Sequence, residues 1–114
     1  MDHTSDPDAA SYRLDPARID LAREFRASIR GPWSKELQQL VHRMRWGAWQ
    51  GRWVIYVLEP GRRWALARMP AERGQKVQIL RDTVFDSLDD AEWHVFQLRW
   101  QAITGSALRL DAPA

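Results

Sequence analysis

Cysteine is absent from this chain of 114 residues. Disulfides, cysteine-held zinc and thiol nucleophiles are therefore excluded, and a reducing compartment is the natural setting. Long apolar runs are absent as well. None approaches the eighteen or so residues that cross a bilayer. The first fifteen residues, MDHTSDPDAASYRLD, are polar and hold no apolar stretch of the kind a signal peptide needs. Together these absences predict a soluble, cytoplasmic protein with no membrane role.

Chemistry-bearing patterns are scarce. There is no G-x-S-x-G, no P-loop and no G-x-G-x-x-G. Three histidines occur, His3, His42 and His94, and none has a second histidine or a carboxylate at the spacing of a metal-binding helix motif. Ser34 and Ser87 precede apolar-periodic stretches and read as helix caps rather than nucleophiles. No catalytic, cofactor-binding or metal-binding residue is assigned to this chain.

Lysine is nearly missing: 15 of the 17 basic residues are arginine. Arginine's planar fork binds phosphate and carboxylate bidentately. A genome-wide coding bias and a solvated coat would give the same count. The net charge is only +2, with acids interspersed throughout, which argues against a nucleic-acid stripe.

What the chain does have is tryptophan, seven of them against three phenylalanines. Burying one removes about 150–250 Å² from water. At about 25 cal/mol per Å² each supplies at most roughly 4–6 kcal/mol. Either a small core is built largely of tryptophan, or some tryptophans serve a partner.

Residues 1–14 read as a disordered polar tail, 15–105 as a single α+β domain and 106–114 as a loose tail. Asp15-Pro16 is a start signal for a first helix, to about Ile29. Ser34 caps a second, to about Arg45, with Leu37, Leu40, Val41 and Met44 on one face. A loop holds Trp46 and Trp49. Strands follow at Arg52–Leu58 and Arg63–Arg68 around the turn Glu59-Pro60-Gly61-Arg62. Pairing Leu58 with Arg63 puts Trp53, Ile55, Val57, Trp64 and Leu66 on one face, the expected core face. The other face, Val54, Tyr56, Leu58, Ala65 and Ala67, is smaller but also apolar. Lys76–Leu80 alternates as a third antiparallel strand. Ser87 then caps a long last helix that Gly105 stops. The fold class is α+β: two N-terminal helices, a three-stranded antiparallel sheet and a long C-terminal helix.

The last helix is apolar on two sides. At 100° per residue, Trp93, Phe96, Trp100 and Ile103 gather on one side and Leu88, Ala91, Val95, Leu98 and Ala102 on the other. Such a helix is buried between two layers. The second layer is either the N-terminal helices or another protein.

The order of motifs also resembles a known family. Ser34…Leu37-Gln38…His42, Gly51-Arg52-Trp53-Val54-Ile55-Tyr56, Trp64-Ala65-Leu66-Ala67, Phe85, and Ala91-Glu92-Trp93-His94-Val95-Phe96 with Arg99 together look like the small (alpha) subunit of N,N-dimethylformamidase. The likeness covers roughly Gly31 to Gln101. It implies an accessory chain of a hetero-oligomeric amidohydrolase, in which a large partner subunit hydrolyses N,N-dimethylformamide to dimethylamine and formate at an iron held by tyrosine and glutamate. The small subunit would act in assembly and stability. The expected contact surface uses Trp46, Trp49, Trp93, Phe96 and Trp100, with Arg45, Arg52 and Arg99 as charged contacts, since buried aromatics and arginines anchor interfaces. The competing reading is a free-standing module that binds protein or, less readily, single-stranded nucleic acid through its arginines and tryptophans.

Overall fold

The computed structural model describes residues 13–45 and 50–108. Three helices and one sheet follow in the order α1 (Ile19–Ala27), α2 (Lys35–Arg45), β1 (Trp53–Glu59), β2 (Arg63–Arg68), β3 (Gln78–Phe85) and α3 (Leu88–Thr104). The α+β class and the long C-terminal helix are as the sequence predicts. The described residues group into two compact units, one of 13–45 with 99–108 and the other of 50–98. The expected N-terminal tail lies outside the described residues up to position 12, as do the loop tryptophans Trp46 and Trp49 and the last six residues.

In the first unit, α1 begins later than Asp15-Pro16 suggests. Asp15 closes a turn instead. Its carboxylate accepts the Ala17 N–H at 2.9 Å and its carbonyl accepts the Arg18 N–H at 2.9 Å. An aspartate offers the backbone this local alternative to a helix start. The helix then opens at Ile19 and ends at Ala27, two residues short of Ile29. Leu21, Ala22 and Phe25 are its buried stripe. Ser34 caps α2 as predicted: its hydroxyl accepts the Leu37 N–H at 3.2 Å. Leu37, Leu40, Val41 and Met44 are all buried. Between the helices, Trp33 lies 5.7 Å from the Phe25 ring and donates its indole N–H to the Ser28 carbonyl at 2.7 Å.

Arg18 ties the start of α1 to the start of α2. Its guanidinium donates two bonds of 2.7 Å to the Glu36 carboxylate and reaches Asp20 at 3.0 and 3.1 Å. The hydrogen bonds to Asp20 and then Glu36 hold Arg18 protonated well beyond its ordinary range. Arg18 in turn draws the Asp20 carboxyl below its usual value, first through the hydrogen bond.

In the second unit the strand order is β1-β2-β3, all antiparallel. The predicted hairpin register holds from Trp53↔Arg68 to Val57↔Trp64. It slips by one at the end, where Glu59 rather than Leu58 faces Arg63. That bulge leaves Leu58 without an opposite residue, as bulges next to turns do. The third strand is longer than expected and starts later, at Gln78 instead of Lys76. Its ladder steps from Leu66↔Leu80 to Ala65↔Val84, so Arg81, Asp82 and Thr83 bulge out. These three polar residues break the alternation that marks a strand in sequence, which is why the run to Phe85 escapes notice.

Cross-strand partners share a face. Trp53, Ile55, Val57, Trp64, Leu66, Leu80 and Phe85 therefore stand together. The Phe85 ring, at the end of β3, meets His94 of α3 at 5.3 Å. Leu66 is buried on this expected core face, but Val57, also expected there, is 49% exposed, and Ala65 and Ala67 of the other face are fully buried, so burial falls on both faces of the middle strand. The α3 cap is also as expected: the Ser87 hydroxyl accepts the Asp90 N–H at 3.3 Å. Gly105, at φ +76°, ends the helix and donates its N–H to the Gln101 carbonyl at 2.8 Å.

Candidate interaction surface

The two apolar sides of α3 are both largely used by the chain itself. Ala91 and Val95 on the aliphatic side are buried. On the aromatic side Phe96 is 3% exposed and Trp100 1%. Trp93 stays half-buried and stacks on Phe96, with ring centroids 5.6 Å apart. Of the expected contact residues, Phe96 and Trp100 thus offer almost no surface in the isolated chain, whereas Trp93 does. Arg45 is exposed at the end of α2, and Arg52 and Arg99 are half-buried.

Arginine chemistry is engaged locally near the sheet. Arg68 lies 4.7 Å over the Trp53 ring and donates its Nε–H to the Gly51 carbonyl at 3.0 Å. A cleft of about 360 Å³ opens beside it, lined by Gly51, Arg68, Met69, Pro70, Ala71, Gln75, Lys76 and Gln78. Its lining holds two cations and two amides but no carboxylate, histidine or hydroxyl. Such a set can bind an anion, but it has no general base or nucleophile.

Among the described residues, no group of three or more histidine, cysteine, aspartate or glutamate side chains is placed to hold an ion. His94 is taken up against Phe85, and His42 is half-buried on α2. Tyr56, the described tyrosine, stands in an apolar row with Ala65 and Val84. An iron held by tyrosine and glutamate does not fit these surroundings.

The second sheet face, which the expected contact set leaves out, is partly covered: Ala65 and Ala67 on its middle strand are fully buried. It presents Val54, Ala67 and Ile79 in one row and Tyr56, Ala65 and Val84 in the next. Tyr56 is 43% exposed and Val84 40%. The signal was in the sequence, because the hairpin pairing already sets Val54, Tyr56, Ala65 and Ala67 on one face. What the sequence hid was Val84, beyond the β3 bulge.

The model of one protein family, the N,N-dimethylformamidase alpha subunit, matches residues 13–109. The chain belongs to that family. As a dimethylformamidase alpha-subunit family member it is matched across all its described residues, farther than the stretch from Gly31 to Gln101 that carries the resemblance in sequence. The added part takes in α1 and the Arg18 clamp onto α2. A comparison with curated proteins finds no match. No described helix of this family member is long and apolar enough to cross a membrane.

Proposed function

We propose that this chain is the non-catalytic small subunit of an N,N-dimethylformamidase-like amidohydrolase. It acts in assembly and stability of a cytoplasmic hetero-oligomer. A large partner subunit carries the iron and hydrolyses the amide to dimethylamine and formate. The observation that carries this reading is the family match over residues 13–109. Support comes from the scarcity of catalytic groups and from apolar surface a lone domain does not need. The lack of cysteine suits the cytoplasm. The contacts to the large subunit are drawn from Trp46, Trp49, Trp93, Arg45, Arg52 and Arg99, Phe96 and Trp100 being buried in the chain itself.

Tagged protein purified from its own host, analysed by native mass spectrometry, tests the proposal. The expected result is a fixed-ratio complex with one large, iron-containing chain that hydrolyses N,N-dimethylformamide. A monomer or homodimer with no such chain overturns it and leaves a free-standing binding module.

A further inference from the structure

We infer that the cleft beside Arg68 takes a carboxylate from an acidic segment of the large catalytic subunit. The inference rests on the subunit reading above and adds a contact outside the set named there. The strand register sets Trp53, Arg68 and Gln78 in one row across the sheet. The Trp53 ring lies 4.7 Å from the Arg68 guanidinium, and the Gly51 carbonyl accepts its Nε–H at 3.0 Å. Gly51 is itself tied to the far side of the cleft, donating its N–H to the Pro70 carbonyl at 3.4 Å. A ring and a carbonyl fix the guanidinium, and both are neutral. Among the described residues no carboxylate pairs with Arg68, and its terminal N–H donors make no bond. Arg18 is the contrast, with Asp20 and Glu36 both against it. Lys76 lines the same cleft as Arg68 and also has no acid partner among the described residues.

The cleft is accessible, because Arg68, Ala71, Gln75, Lys76 and Gln78 in its lining are all exposed. The charge around it is one-sided. Residues 50–52 and 68–78 hold Arg52, Arg68, Arg73 and Lys76 against Glu72 alone, a net +3. Glu72 lines neither this cleft nor its neighbour, and farther along β3 Arg81 and Asp82 cancel. The neighbouring cleft, of about 320 Å³, shares Met69, Pro70 and Gln75 with the first and adds Arg73 and Val77, which is 36% exposed. Together they form a trough with cations along it and apolar groups between, which suits an extended peptide that carries a carboxylate beside an apolar residue. A held guanidinium fork meets a carboxylate bidentately. A small anion in free solution gains little at so open a place, since exposed charge pairs are weak and screened. A carboxylate on a chain already docked elsewhere arrives at high effective concentration, so the same pairs count.

The test uses the full chain co-expressed with the large chain recovered in the purification above. Lys76→Glu sets like charge against the carboxylate and is expected to lower incorporation into the complex at least about fivefold. Arg68→Lys keeps the charge but loses the fork, with an expected loss of about two- to threefold. Arg62→Glu, the same change of charge at the exposed hairpin turn, is the control and keeps wild-type incorporation. Zero-length carbodiimide cross-linking of the unmodified complex gives a second readout, because it joins a lysine only to a carboxylate in contact with it. The expected product is an amide between Lys76 and an aspartate or glutamate of the large chain. Wild-type incorporation of Lys76→Glu, or no such cross-link, overturns the cleft contact and leaves the subunit reading standing. No complex even with the wild-type chain overturns both. Lys76 cross-linked to a second copy of this chain makes the occupant that copy and overturns the inference. Lys76 shielded from acetylation by millimolar inorganic phosphate as fully as by the large chain marks a site for free oxyanions and overturns it too.

Discussion

Ser34 donates its backbone N–H and its hydroxyl to the two carboxylate oxygens of Glu24, at 2.6 and 2.7 Å. The same hydroxyl oxygen accepts the Leu37 N–H at 3.2 Å. Its proton is committed to α1, so its lone pairs face the first turn of α2. One side chain therefore caps a helix and joins it to the preceding one. Ser34→Ala loses the cap and half of the Glu24 clamp. The expected cost is about 1–2 kcal/mol in urea unfolding, the upper part of the range for a lost N-cap. Glu24→Ala in the Ser34→Ala background costs less than Glu24→Ala alone, since the two act through one network. Additive losses, or a Ser34→Ala midpoint unchanged from wild type, contradict the clamp.

Much of this fold is legible in the residues, and the failures have physical causes. Ser34, Ser87 and Gly105 mark helix ends because their side chains, or the lack of one, complete the terminal backbone bonds. The hairpin register follows from faces that sort by bulk. Asp15-Pro16 misleads because the same aspartate that caps helices also closes turns. The β3 strand is cut short in sequence because Arg81-Asp82-Thr83 interrupt the period of two. The expected contact surface fares differently. Phe96 and Trp100 look like partner residues because a helix wheel cannot say which side the chain covers. Tyr56 and Val84 lie 28 positions apart and meet only through the middle strand.

Trp100 separates a core role from a contact role. It is 1% exposed and among the largest fully buried side chains. Trp100→Ala should destabilise the isolated chain by about 3–5 kcal/mol, through lost burial and the cavity left behind. Trp93→Ala, at a half-buried position, should cost clearly less. Chemical denaturation of the free chain checks both. A Trp100→Ala chain as stable as wild type contradicts the core assignment and returns this residue to a partner surface.

Asp20 gives the chain an acid-sensitive contribution. Its carboxyl is held below the ordinary value of 3.8, first by the hydrogen bond from Arg18 and then by that cation's charge. A carboxyl with a lowered folded-state pKa binds fewer protons folded than unfolded. Stability it contributes is complete above the unfolded value and drains as pH falls through the folded one. Asp20→Asn removes the contribution at every pH. The stability gap between wild type and Asp20→Asn should therefore stay constant from neutral pH down to about 4 and narrow below it. Arg18 and Asp20 are 38% and 63% exposed, so the gap is small and shrinks in high salt. Arg18 keeps its two bonds to Glu36 in the variant, which leaves the α1–α2 tie in place. Thermal melts across this pH range at low salt read the effect directly. A gap that widens on acidification reverses the sign and shows that Arg18 does not favour the ionised form of Asp20.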